Sequence, residues 1–97
     1  VLQALGEHGL LINIARGSVV DEAALLAALE AGHIAGAALD VFEREPHIPS
    51  LLLQSEKVVL TPHIGSATRE TRLDTDDLLL QNVAAFVQDG RLLTEVC

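Results

Sequence analysis

Hydrophobic periodicity changes several times along the chain, and the order of the changes predicts its elements. Gly9-Leu10-Leu11-Ile12-Asn13-Ile14-Ala15 is a nearly continuous apolar run ahead of Arg16-Gly17-Ser18, the pattern of a short strand buried on both faces. Asp21 then caps a segment with Glu22 in its first turn and Leu25, Leu26 and Leu29 on one side, closing at Gly32. That pattern predicts a helix of about three turns. Ile34 to Val41 reads as a second buried strand, whose Ala35, Gly36, Ala37 and Ala38 let a helix or a cofactor approach closely. Glu43 to Glu56 holds Pro46 and Pro49 and keeps no period, so it is a loop with room for one helical turn at Leu51 to Leu53. Val58-Val59-Leu60 predicts a third strand, stopped by Thr61-Pro62. A helical segment runs from about Ala67 to Asp89 and ends at Gly90. Its second half carries Leu79, Leu80, Val83, Phe86 and Val87 at helical spacing, whereas Asp74, Asp76 and Asp77 crowd its first half with like charges.

Strand, helix, strand, loop, strand, helix is the alternation of an α/β domain with a parallel sheet. Three strands make an incomplete sheet, expected to continue into further strands. Composition narrows the class. At 97 residues, 49% apolar and 21% charged, the chain is one small domain rich enough in aliphatic surface to fold. A net charge of −8 is the wrong sign for nucleic acid or an anionic membrane. The single cysteine, Cys97, precludes an intrachain disulfide and makes the cytoplasm the expected location. No apolar run approaches the roughly 18 to 20 residues of a membrane span. The first residues carry no basic region, and there is no methionine, which suits a piece of a longer protein whose start lies upstream.

The polar residues sharpen this picture. Ligands of open α/β sheets bind outside the carboxyl ends of the strands. Arg16 follows the first strand, Asp40 closes the second with Glu45 five residues on, and His63 follows the third. An arginine offers a fork for a carboxylate, a histidine beside a glutamate is a proton donor, and an aspartate can hold an amide. Each has an ordinary reading too: Arg16 before a glycine as a surface turn, His63 after a proline as a loop, Asp40 as a loop cap, Glu45 before Pro46 as a turn. Their joint placement at successive strand ends is what argues for a site. His8 and His33 sit beside glycines without metal-ligand spacing, His47 reads as a solvated loop residue, and no metal is expected. Ser18 and Ser66 lack the context of a hydrolase nucleophile, and Cys97 is expected to be inert.

Three motifs in order carry a resemblance: Ile12 to Glu22 (INIARGSVVDE), Gly36 to Phe42 (GAALDVF) with Glu45-Pro46, and Leu60 to Thr68 (LTPHIGSAT). Together they closely resemble the signatures of the D-isomer-specific 2-hydroxyacid dehydrogenases, and the similarity covers essentially the whole chain. Glu70-Thr71-Arg72 and Leu92-Leu93-Thr94 look most like the glyoxylate, hydroxypyruvate and 2-ketogluconate reductases of that family. The resemblance implies the second half of a Rossmann-type dinucleotide-binding domain at 1–66, then a long crossover helix and tail at 67–97 leading back toward a substrate domain.

It also implies roles. Arg16 would grip a small 2-oxo acid, His63 would protonate its carbonyl oxygen, and Glu45 would hold the imidazole in its charged form. The backbone of Ile14, Ala15 and Arg16, with Asp40, His63, Ile64, Gly65 and Ser66, would line NAD or NADP. A homodimer is expected of the parent enzyme, and the 97 residues alone are expected to be inactive. The sequence departs from the family in three respects. The family's glycine-rich phosphate loop is not among these residues, Asp74-Thr75-Asp76 stand where relatives carry Ala and Met, and Glu95 replaces a customary proline. The rival readings are a corepressor-like binding protein of the same superfamily and a truncated product without activity; Gly65-Ser66-Ala67-Thr68 favours the metabolic enzymes.

Overall fold

Asp21 starts the first helix as its position predicts, its Oδ1 accepting the Ala24 N–H at 2.9 Å. In a computed structural model of the chain, which describes residues 1–96, that helix is α1 (Glu22–Glu30) and lies between strands β1 (Leu10–Asn13) and β2 (Gly36–Leu39). A one-turn helix α2 (Ser50–Leu53) precedes β3 (Val58–Leu60), and α3 (Arg69–Asp89) follows. Short 3₁₀ turns at Leu2–Leu5 and Gly17–Val19 have no counterpart in the periodicity. Cys97 lies outside the described residues.

The sheet is parallel with order β1-β2-β3, and Asn13, Leu39 and Leu60 stand level at its carboxyl edge. The architecture is therefore α/β with a parallel sheet, as the alternation of elements predicts. The first two strands are shorter than their apolar runs. At the end of β1 the Asn13 side chain accepts the Ala15 N–H and donates to the Arg16 carbonyl, which turns the chain out of the sheet.

Within these residues only one face of β1 is covered, where the apolar run predicts burial on both. Leu25, Ala28 and Leu29 of α1 and Leu52 of α2 pack with Ala37 and Leu39 in one core, so both helices cover the same face. Side chains alternate across a strand, and the other set, Leu10, Ile12 and Val59, is 64–67% exposed.

The chain divides into two compact units, Val1–Gly65 and Ser66–Cys97. In the second, the Thr68 hydroxyl accepts the Thr71 N–H at 3.2 Å, and Gly90 ends α3 in the left-handed region at φ 74°. Asn82 ties the tail to the helix by accepting the Leu93 and Thr94 amides at 2.9 and 3.1 Å. No residue of α3 is buried, and no helix among the described residues is long and apolar enough to cross a membrane.

Gly17 marks the tightest passage of the first unit. A Cβ there would fall on the Phe42 carbonyl and the Glu43 amide, both backbone groups that cannot rotate aside. Gly17→Ala is expected to cost about 3 kcal/mol, against about 1 kcal/mol for removing the helix cap in Asp21→Ala. Denaturant unfolding of the two variants checks the order; equal losses would mean that the loop after β1 yields freely.

Candidate active site at the carboxyl edge of the sheet

Parallel pairing sets the geometry of the site. Beyond the last paired residues the ladder continues, with the Asp40 N–H donating to the Asn13 carbonyl and the Thr61 N–H to the Leu39 carbonyl, each at 3.0 Å. Arg16 and His63 each lie three residues past the end of an edge strand, on either side of Asp40. Adjacent strands are about 4.8 Å apart, so the two edge strands flank a span of roughly 10 Å, the scale of a small ligand.

His63 adopts φ 54°, in the left-handed region that costs a non-glycine residue about 1 kcal/mol or more. Its Nδ1 lies 2.8 Å from Glu45 Oε2. An ionised carboxylate can only accept, and the Glu45 carboxyl is held below its ordinary value first by the His63 hydrogen bond and then by the Phe42 amide. The proton of this bond is therefore on Nδ1, and Nε2 is the nitrogen left to face a ligand. Glu45 Oε1 accepts the Phe42 N–H at 3.0 Å, so both carboxylate oxygens are engaged. The pair is about half exposed, with His63 at 49% and Glu45 at 36% of their side-chain surface. Its value is orientation of the ring more than stability. Phe42, Pro46, Ile48 and Pro62 enclose an apolar cavity of about 150 Å³ against it.

Asp40 is buried and anchors the turn that follows His63. Its Oδ1 accepts the Thr61 hydroxyl at 2.5 Å and the Ile64 N–H at 2.8 Å, and its Oδ2 accepts the Gly65 N–H at 2.8 Å. Thr61 is the largest cause of the lowered Asp40 carboxyl, ahead of the Ile64 amide, with burial opposing and the Gly65 amide and His63 charge assisting. A Cβ on Gly65 would stand 3.0 Å from Oδ2, so the turn is drawn tightly onto the carboxylate.

Arg16 is exposed, and its guanidinium turns back on the Ala15 carbonyl at 2.6 Å. The backbone that presents it is set by Asn13, which is 5% exposed. Asn13 Nδ2 donates to the Arg16 carbonyl at 2.9 Å, and its Oδ1 accepts the Ala15 N–H at 3.1 Å. Ile14 and Ala15 are exposed on the same rim, as are Ile64 and Gly65, while Ser66 opens the second unit. Sequence reasoning passed over Asn13 and Thr61. Asn13 was visible as a lone amide inside an apolar strand; for Thr61, whose partner lies 21 positions away, no local signal exists.

Among the other histidines, His8 pairs loosely with Glu7 at 3.6 Å and His33 meets Gln3 at 3.3 Å. His47 bridges to Arg44 in the loop. No cluster among the described residues is arranged to hold a metal ion.

Comparison with known proteins bears on this geometry. The family described as D-isomer specific 2-hydroxyacid dehydrogenase, NAD binding domain, matches residues 1–65. The glyoxylate/hydroxypyruvate reductase A of Arabidopsis thaliana is 53% identical over 99% of this chain, and the 2-ketogluconate reductase of Gluconobacter oxydans is 53% identical over 98%. A crystal structure of the NADPH-dependent glyoxylate/hydroxypyruvate reductase of Sinorhizobium meliloti, in complex with NADP and malonate, superposes with a TM-score of 0.89 at 52% identity over 99% of the chain. The chain spans 31% of each of the first two proteins and 30% of the third.

A lowered carboxyl implies a pH dependence of definite sign. The stability that Asp40 gains from its bonds is complete above the ordinary carboxylate range and is lost as pH falls through its lowered folded value. Thr61→Val is expected to raise the Asp40 titration. Wild type and variant should then differ most at neutral pH and converge on acidification, as read from denaturation midpoints across pH. A gap that stays constant with pH would place the Thr61 contribution elsewhere than on the ionised carboxylate.

Proposed function

This chain belongs to the D-isomer specific 2-hydroxyacid dehydrogenases, in their NAD-binding domain, and we propose that it is part of an oxidoreductase that interconverts a small 2-oxo acid and its 2-hydroxy acid. The substrate class is that of glyoxylate or hydroxypyruvate. The observation that carries the reading is the His63–Glu45 pair, with Nδ1 engaged and Nε2 left open at the same sheet edge as Arg16. Residues 1–66 form the second half of the dinucleotide-binding domain, and 67–97 the crossover helix and tail.

The rim suits a nicotinamide. Ile14 and Ile64 offer exposed apolar surface, and Asp40 Oδ2, which accepts one amide, keeps a lone pair for a carboxamide N–H. Ala15 and Gly65 contribute backbone to the same lining. NADH or NADPH, when bound, would supply the hydride for reduction, and the oxidised form would accept it in reverse. In reduction the Arg16 guanidinium forks the substrate carboxylate and orients the carbonyl. His63 gives its Nε2 proton to the carbonyl oxygen, and Glu45 keeps the ring aimed and compensates its positive charge. In the oxidative direction the same nitrogen takes the hydroxyl proton.

A homodimer and a cytoplasmic location belong to this reading. The apolar side chains of α3, with Phe86 57% and Val87 79% exposed, support the first, and the single cysteine supports the second. The net charge of −8 weighs against nucleic acid and anionic membranes as partners.

In the full-length protein, His63→Ala is expected to lower kcat for 2-oxo acid reduction by about 10² to 10⁴ with little change in KM. Arg16→Ala should damage both constants, because it meets the carboxylate in the ground state and the carbonyl oxygen in the transition state. Wild-type turnover of glyoxylate and hydroxypyruvate by His63→Ala would remove the proposed acid. The 97 residues alone are expected to turn over neither substrate and to bind NADH weakly, since they hold no glycine-rich turn with a following helix N-terminus for the pyrophosphate. Micromolar affinity in a calorimetric titration of the isolated chain would contradict this.

A further inference from the structure

Glu22 is an acid for which the roles above have no use. It stands in the first turn of α1, where Asp21 already supplies the cap, yet it is only 9% exposed. Its Oε1 accepts the N–H of Glu43, 21 positions away, at 2.8 Å. The preceding amide, that of Phe42, donates to Glu45 Oε1 at 3.0 Å, and Glu45 Oε2 meets His63 Nδ1 at 2.8 Å. Two successive amides of the segment leaving β2 are thus held by two carboxylates, one from α1 and one from the site. The peptide that joins Phe42 to Glu43 is also the one against which Gly17 packs without room for a Cβ. Glu22 and Gly17 therefore confine one peptide plane, and both follow closely on Arg16 in the chain.

We propose that Glu22 is a positioning residue for the His63–Glu45 pair: by accepting the Glu43 amide it sets the peptide from which the neighbouring Phe42 amide fixes Glu45. The inference rests on the reductase reading for its effect on turnover, though not for its effect on the pair. With the part-buried Glu43 amide left unpaired, the peptide is driven to rotate toward water. The Phe42 amide is next to that hinge, so Glu45 loses its fixed oxygen and the other no longer stays on Nδ1. Misplacement of a reacting group by about 1 Å costs far more in rate than in binding.

A second role for Glu22, the favourable charge of an acid at a helix N-terminus, makes opposite demands, and two substitutions separate them. Glu22→Asp keeps the charge but shortens the reach to the amide; Glu22→Gln gives up the charge but keeps an acceptor at the same length. The experiment uses the full-length protein and reads the Glu45 carboxyl by ¹³C NMR titration, together with kcat and KM for glyoxylate reduction. Positioning requires Glu22→Asp to raise the Glu45 titration toward the ordinary carboxylate range and to lower kcat about tenfold with KM nearly unchanged, while Glu22→Gln stays close to wild type in both. In a Glu45→Gln background, Glu22→Asp should then cost little further turnover. A Glu45 titration unmoved in Glu22→Asp overturns the proposal, and so does equal damage from both variants. A wild-type protein that reduces no 2-oxo acid refutes the reductase reading alone, because the Glu45 titration still decides whether Glu22 holds the pair.

Discussion

The parallel register of the sheet is the constraint on which the site depends. Because Asn13, Leu39 and Leu60 stand level, the residues just beyond them emerge on one rim whatever their separation in sequence. Two backbone bonds carry the pairing past the formal strand ends, from Asp40 to Asn13 and from Thr61 to Leu39. They fix where each loop departs. A slip of one residue would send Asp40 to the other face and break its bonds to Thr61, Ile64 and Gly65 at once.

Carboxylates do most of the local work. Asp40 gathers a hydroxyl and two amides, Glu45 an amide and an imidazole, and Glu22 a single amide from across the domain. Each is an acceptor without a proton to offer, which removes ambiguity about the direction of every bond it makes. The tautomer of His63 follows from that asymmetry: a carboxylate on Nδ1 places the proton there and leaves Nε2 outside the bond. The left-handed backbone of His63 is tolerated because the bonds to Asp40 immediately after it hold the turn.

Apolar packing and the site meet at Phe42. Its ring belongs to the buried core with Leu25, Leu39 and Leu52, its amide holds Glu45, and its carbonyl bounds the space that Gly17 must leave empty. The core thereby extends to within one residue of the site, and core packing limits how far the Glu45 loop can move. The outward residues Leu10, Ile12 and Val59 take no part in that core.

The periodicity of the chain was enough to place all three strands and both longer helices, and the alternation of elements then determined a parallel sheet with Arg16, Asp40 and His63 at its carboxyl ends. These features are local: a strand, a cap or a turn is written in consecutive residues. Motifs made the family recognisable for the same reason. That Thr61 and Asn13 hold the site's backbone, and that Glu22 reaches Glu43, were decided only by the tertiary structure. A hydrogen bond across 21 positions exists only once the register has brought its partners together.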